Sequence, residues 1–91
     1  MTPLASTFRA LGHPDRLYIL EALLATRNAN GASIGEIAAV CGIDRFAASR
    51  HLDDLATAGF ITTAWSGKRR EHWLRSGGFE EIEDWAIRFT P

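Results

Sequence analysis

A glycine-containing break at Cys41-Gly42-Ile43 separates two helical patterns, and this pair limits the folds open to a chain of 91 residues. The first pattern starts at Ser33-Ile34-Gly35-Glu36, where the Ser and Glu side chains can satisfy each other's free backbone N–H groups. We predict a short helix from Ile34 to about Val40. Asp44 is a favourable N-cap for a longer helix that ends at Gly59, which suits a left-handed C-cap.

The longer helix, residues 45–58, has two distinct faces. We expect its apolar face to pack inward, with Ala48, Leu52, Leu55 and Gly59 along one stripe. The other face carries Arg45, Phe46, Ser49, Arg50 and Asp53. Guanidinium groups can donate to guanine O6 and N7, and a hydroxyl can bond to base edges or phosphate. Two helices joined by a tight turn are typical of a helix-turn-helix, whose second helix enters the DNA major groove. We therefore predict that Arg45, Phe46, Ser49 and Arg50 contact double-stranded DNA.

The rest of the chain predicts two helices before this pair, and a β-hairpin and a further helix after it. Helical spacing relates Leu4, Phe8 and Leu11, and a second helix from Arg16 to Thr26 carries an apolar stripe of Leu17, Leu20, Leu23 and Leu24. Residues 28–31 have the composition of a loop. After Gly59 we predict a β-hairpin, with strands at 60–65 and 70–75 joined by the turn 66–69, and then a final helix. The fold class is mainly α with a β-hairpin wing, in the order α-α-α-α-β-β-α, and residues 1–91 form a single domain.

The predicted hairpin tip is strongly basic. Lys68, Arg69 and Arg70 would sit on a protruding turn directly behind the helix pair. Such a wing, about residues 66–70, can hold backbone phosphate or enter the minor groove, where positive charge is favoured. A solubilising loop is the simpler alternative for a charge run on its own. The position of this charge run behind a helix-turn-helix favours the interpretation as a DNA-binding wing.

The formal net charge of −1 argues against a nucleic-acid ligand only when it is averaged over the whole chain. Residues 45–75 hold six Lys and Arg against three Asp and Glu, while residues 76–91 hold one against four. A polyanion responds to the local field rather than to the total. We predict that the basic middle faces DNA and that the acidic end lies away from it.

These motifs resemble those of the ArsR-type winged helix-turn-helix repressors. The resemblance covers nearly the whole chain, and the residues that carry it are Ala10 to Leu20, Ile34 to Ala38, Ala48 to Leu52, Leu55 to Ile61 and Gly67 to Arg70. It implies a homodimer that represses promoters at inverted-repeat sites. It also implies no metal site here, because Ser33 and Gly35 stand where many relatives have metal-binding cysteines and the last helix has no histidine. No cofactor is expected.

The terminal helices are the expected dimer interface. Each presents an apolar face that so small a protomer covers poorly, and two copies could bury these faces across a two-fold axis. The residues assigned to this interface are Leu4, Phe8, Leu11, Ile82, Trp85 and Phe89. The orientation of Trp65 and Trp73 stays open.

The sequence leaves several functional alternatives. The chain could be a winged helix that binds protein and never DNA, or a regulator that responds to a small molecule or to oxidation of its single cysteine, Cys41. Its effector, its operator and its sign of regulation are open. We predict no enzymatic activity, no joint zinc site of His13, His51 and His72, no membrane span and a cytoplasmic location.

Overall fold

The computed structural model describes residues 3–26 and 31–91. Most of the predicted loop at 28–31 therefore lies outside the described residues. The elements are α1 (Pro3–Leu11), α2 (Pro14–Thr26), β1 (Ala32–Ser33), α3 (Ile34–Cys41), α4 (Arg45–Thr57), β2 (Ile61–Ser66), β3 (Arg69–Leu74), α5 (Gly77–Ala86) and a 3₁₀ turn (Ile87–Phe89). Among the described helices, none combines the length and apolar character needed to cross a bilayer.

Side-chain caps define the starts of α3 and α4 as predicted. Ser33 Oγ accepts from the Glu36 backbone N–H at 3.2 Å and donates to Glu36 Oε1 at 3.1 Å. Asp44 Oδ1 accepts from the Ala47 N–H at 2.8 Å. Gly42, with φ +67°, ends α3 in the left-handed conformation. Local hydrogen bonds thus define where the two helices begin. The turn between them needs a residue that adopts a positive φ without steric strain from a Cβ, which is glycine.

Helix α4 ends slightly earlier than predicted. Thr57 is its last residue, Ala58 is the C-cap and Gly59 follows with φ +86°. The Phe60 N–H donates to the Leu55 carbonyl at 3.0 Å, and the Gly59 N–H donates to that of Ala56 at 3.1 Å. These two bonds are those of a Schellman motif, which turns the chain from α4 into β2.

The sheet has three antiparallel strands in the order β1-β3-β2. Strand β1 was not predicted, so the order α-α-α-α-β-β-α is incomplete by one strand. Ala32 pairs with His72 and Ser33 pairs with Glu71. Two residues are too short to show strand alternation, and the second of them, Ser33, is already the N-cap of α3. The β2–β3 hairpin runs from Ile61↔Leu74 to Ser66↔Arg69.

The core lies between the helices and one face of this sheet. Its largest fully buried side chains are Phe60, Ile19, Leu52, Leu55, Ile61 and His72. The predicted stripe of α2 is half right: Leu20 and Leu23 are buried, but Leu17 and Leu24 are 48% and 45% exposed. The predicted interior stripe of α4 is confirmed by Ala48, Leu52 and Leu55, which are at most 1% exposed.

Candidate nucleic-acid interface

The inward anchoring of α4 leaves its other face in solvent. Arg45, Phe46 and Arg50 are exposed, and Phe46 reaches 75% exposure. Ser49 is half-buried at the edge of this face. An aromatic side chain so exposed on a well-packed helix costs hydrophobic free energy, so it suits a surface that contacts a partner.

The wing differs from its prediction at the tip. The turn consists of Gly67 and Lys68, whereas Arg69 and Arg70 belong to strand β3. Gly67 has φ +63°, which a two-residue hairpin loop favours. Of the three predicted tip cations, only Lys68 therefore sits in the turn. Arg69 and Arg70 lie on successive strand positions, so their side chains leave opposite faces of the sheet.

A cleft of about 310 Å³ lies between the wing and the N-terminal turn of α4. It brings one predicted cation of α4 together with all three of the wing. The residues that line it are Ser33, Ile34, Arg45, Trp65, Lys68, Arg69 and Arg70. Phe46, Ser49 and Arg50 do not line this cleft, and Arg50 instead borders a second cleft with His13, Arg16 and His51. The predicted contact residues thus divide between two neighbouring parts of one surface.

Two of the wing cations already have carboxylate partners. Arg69 pairs with Glu36 of α3, and its Nε lies 3.5 Å from Glu71 Oε1. Arg70 lies 3.7 Å from Asp53 Oδ1 on α4. No ion pair joins Arg45, Arg50 or Lys68 to another residue within the ranges 3–26 and 31–91. These last three cations present the least compensated positive charge to a polyanion.

Trp65 is a surface residue that the sequence did not assign. It is 69% exposed near the end of β2, and the guanidinium carbon of Arg70 lies 5.9 Å from its ring centroid. Trp65 shares the strand face of buried Ile61, but the hairpin extends past the core at this point. Strand alternation alone would have turned it inward. Its ring adds an aromatic surface to the basic cleft.

His13 and His51, although on separate elements, come together beside α4. Their ring centroids lie 4.5 Å apart, and Asp15 Oδ2 lies 3.6 Å from His51 Nε2. The three side chains could in principle surround a metal ion. However, His13 Nδ1 accepts from the Asp15 N–H and His51 Nδ1 accepts from Arg16 Nε, each at 3.1 Å. A metal would have to displace these donors, so the donor set fits a structural hydrogen-bond network better.

Burial strengthens that interpretation of His51. Desolvation lowers its pKa below the ordinary range, and the neighbouring His13 and Arg16 lower it further. A neutral imidazole can accept the Arg16 N–H, whereas an imidazolium cannot. Arg16 also donates to Asp54 Oδ2 at 2.6 Å. The network therefore ties the start of α2 to the middle of α4.

Cys41 is the last residue of α3, and it is half-buried. Burial, with a smaller contribution from the Asp15 carboxylate, raises its pKa. A raised pKa disfavours the thiolate, which is the reactive form of cysteine. Cys41 packs against the core, as a small apolar side chain would.

The terminal helices form a separate surface. Phe8 and Trp85 make an edge-to-face contact with centroids 5.3 Å apart, and Trp85 lies 4.8 Å from Phe89. These three aromatic side chains are each at least 37% exposed. By contrast, Leu11 and Ile82 pack against the protomer's own core, and Leu4 is half-buried.

A family model and several solved structures match this chain. A family model described as "Helix-turn-helix domain" matches residues 11–64. The crystal structure of an ArsR family transcriptional regulator has a TM-score of 0.82 at 24% identity, covering 97% of this chain and 87% of that one. No curated protein sequence matches.

Two further solved structures also match over 97% of this chain. The homodimeric winged helix-turn-helix DNA-binding domain of Mb0332 from Mycobacterium bovis has a TM-score of 0.72 at 23% identity, covering 97% of this chain and 76% of that one. Reduced HlyU from Vibrio cholerae has a TM-score of 0.70 at 23% identity, covering 97% and 88%. At these identities the likeness establishes the fold.

Proposed function

Because the chain belongs to the helix-turn-helix domain family and has the winged fold of ArsR-family transcriptional regulators, we propose that it binds double-stranded DNA as a homodimeric transcriptional regulator. The observation that carries the proposal is the basic cleft between α4 and the wing, which adjoins the exposed face of α4. The major groove is wide enough to admit a helix. The two-fold symmetry of such a dimer favours an inverted-repeat operator, and repression at this operator is the mode that the resemblance to the ArsR-type repressors implies.

The proposed contacts follow from side-chain chemistry. Arg45 and Phe46, near the start of α4, meet base edges or a thymine methyl group, while Ser49 and Arg50 meet bases and phosphate. Lys68 reaches the flanking backbone from the wing turn. Arg69 and Arg70 join it once they exchange their carboxylate partners.

A homodimer also accounts for the aromatic surface of the terminal helices. The Mycobacterium bovis domain with the same fold is homodimeric. In this chain Phe8, Trp85 and Phe89 form a continuous exposed group that a second copy can cover. Two-fold symmetry would place two recognition helices on half-sites about 34–36 Å apart or a multiple of that distance.

The salt dependence of DNA binding tests the proposal as a whole. If a dimer neutralises roughly six to ten phosphates, a plot of log K against log salt should have a slope of about −5 to −9. Fluorescence anisotropy with labelled duplex from the protein's own upstream region gives this slope. A flat response would contradict the proposed mechanism.

Arg50→Ala separates base contact from phosphate contact. If Arg50 contacts a base, the variant should weaken specific binding by about 1–3 kcal/mol and non-specific binding much less. If Arg50 holds only phosphate, both should weaken alike. The comparison uses a DNA site selected from random sequence against a scrambled duplex of the same length.

Phe46 favours a second candidate function, a protein-interaction module. Its ring is 75% exposed on the outer face of α4, near the start of the helix. A protein partner would bury this ring without needing the wing cations. A mobility-shift assay with upstream DNA decides between the two, because an interaction module gives no salt-sensitive shift.

A further inference from the structure

Two carboxylates hold the wing arginines against the body of the protein. Glu36 belongs to α3 and Asp53 to α4, the two helices of the helix-turn-helix. Each pairs with a different arginine of β3, Arg69 and Arg70 respectively. Two of the five cations proposed to contact DNA are therefore partly neutralised within the chain.

Glu36 is held in place for this role by the α3 cap. Its Oε1 atom accepts both the Ser33 hydroxyl and the Arg69 guanidinium. Both the Glu36 and the Arg69 side chains are about half exposed, so solvent and an incoming anion can reach the pair. The carboxylate is thus held by the Ser33 side chain, while the arginine that it pairs with remains accessible.

Arg70 is restrained from two sides. Asp53 lies 3.7 Å from one of its terminal nitrogens, and the Trp65 ring covers its guanidinium group. Its Nε is buried without a hydrogen-bond partner among the described residues. The Arg70 side chain therefore has an unused donor and a weak, solvent-exposed partner.

We propose that Glu36 and Asp53 occupy the sites of DNA phosphates in the free protein and limit its affinity for DNA. Carboxylate and phosphate oxygens accept the same paired N–H groups of a guanidinium. Exposed ion pairs are weak enough for a duplex to displace. On binding, Arg69 and Arg70 exchange carboxylate for phosphate, and each freed carboxylate remains as an uncompensated charge near the backbone. This inference rests on the proposed DNA binding.

Glu36→Gln is the decisive variant. Glutamine can keep the capping interaction with Ser33, so only the charge is removed. The variant should bind the duplex more tightly, by about 1.5-fold to 5-fold, the range that an exposed ion pair allows. The salt slope should become steeper by up to about one unit, because no freed carboxylate takes up a cation.

A double-mutant cycle distinguishes this exchange of partners from a general change in the electrostatic field at the DNA-binding surface. In an Arg69→Gln background, Glu36→Gln should raise the affinity clearly less than in the wild type, because no ion pair is left to break and only the repulsion between the carboxylate and the DNA backbone is removed. Asp53→Asn with Arg70→Gln should behave in the same way. Asp84→Asn on α5 removes one negative charge far from the wing and should change the affinity little.

The outcomes separate this inference from the proposed function. Equal gains from Glu36→Gln with and without Arg69 would overturn the exchange while leaving DNA binding intact. A gain from Asp84→Asn as large as that from Glu36→Gln would do the same. Wild-type protein that shows no salt-sensitive binding would overturn both. Circular dichroism of each variant confirms that the compared proteins are folded.

Discussion

His72 shows how one buried polar side chain joins distant parts of the chain. It is 1% exposed, and its Nδ1 lies 2.9 Å from the Ala32 carbonyl oxygen, to which an Nδ1–H can donate. His72 lies on the same face of β3 as Leu74, which packs against the core. Its partner could not be predicted, because Ala32 belongs to a two-residue strand forty positions away. The hydrogen bond and the β1–β3 pairing therefore stabilise each other.

The titration of His72 should make stability depend on pH. Burial lowers its pKa, against a smaller opposing effect of the hydrogen bond to Ala32. The unfolded chain then binds a proton at a higher pH than the folded one, so the free energy of unfolding should decrease as pH falls below about 6.5. Urea unfolding at pH 7.5, 6.5 and 5.5 measures this loss. His51, whose pKa is also lowered, adds to the loss in the same direction.

His72→Asn isolates the contribution of this side chain. Its amide N–H can replace the Nδ1 donor but does not titrate, so stability should fall less between pH 7.5 and 5.5 than in the wild type. At pH 7.5 the variant should be about 1–3 kcal/mol less stable, because the smaller side chain leaves part of its site empty. An unchanged pH dependence in the variant would show that other groups carry the effect.

Helix ends were the most predictable elements. Ser33 with Glu36, Asp44, Gly42 and Gly59 each act within a few residues of the backbone groups that they satisfy, so the sequence alone locates them. The features that were missed depend on distant partners. Leu17 and Leu24 share the helical spacing of buried Leu20, but they stay 48% and 45% exposed among the described residues. The register of the hairpin, which puts Arg69 in a strand, is likewise set by pairing across β2 and β3.

The contact between the end of α4 and the start of α5 yields a matched pair of glycine variants. The Gly78 N–H donates to the Gly59 carbonyl at 2.9 Å, and a Cβ on Gly78 would lie 2.7 Å from the Phe60 ring. Phe60 is fully buried and cannot move freely. Gly78→Ala should therefore destabilise the protein by about 1–3 kcal/mol. Urea unfolding at a fixed pH gives the value.

Gly77→Ala is the control for this prediction. A Cβ there would meet its nearest neighbours at 3.5 Å and 3.7 Å, which are ordinary contacts. Alanine also favours helix over glycine, so the variant should be as stable as the wild type or slightly more stable. Similar destabilisation by both substitutions would point to the helix start itself rather than to the contact with Phe60.

At the scale of the whole molecule, the basic cleft and the exposed aromatic group lie on different elements. The basic cleft lies between α4 and β3, while the exposed aromatic group joins α1 to α5, whose segment carries the acidic excess. From the charge pattern the sequence predicted that the basic middle faces DNA and that the acidic end lies away from it, and this stays a prediction. The sequence could not show that Leu11 and Ile82 pack against the protomer's own core, because helical periodicity does not distinguish a core face from an interface face.

Phe89→Ser tests whether the aromatic surface mediates self-association. Phe89 is 69% exposed and contacts the Trp85 ring, so its loss should cost the protomer little stability. A large aromatic side chain buried at an interface often contributes 1 kcal/mol or more. The dimer dissociation constant from sedimentation velocity should therefore rise by about tenfold or more, because each dimer loses two rings. Affinity for a full inverted repeat should fall with it, while affinity for a single half-site should not.

Phe46→Ser is the matched control, since its ring is 75% exposed on α4 rather than on the terminal helices. It should weaken DNA binding at both full sites and half-sites and leave the monomer–dimer equilibrium unchanged. The two variants thus give opposite patterns if DNA contact and dimerisation use separate surfaces. An unchanged dissociation constant for Phe89→Ser, or a raised one for Phe46→Ser, would show that the dimer forms through a different face.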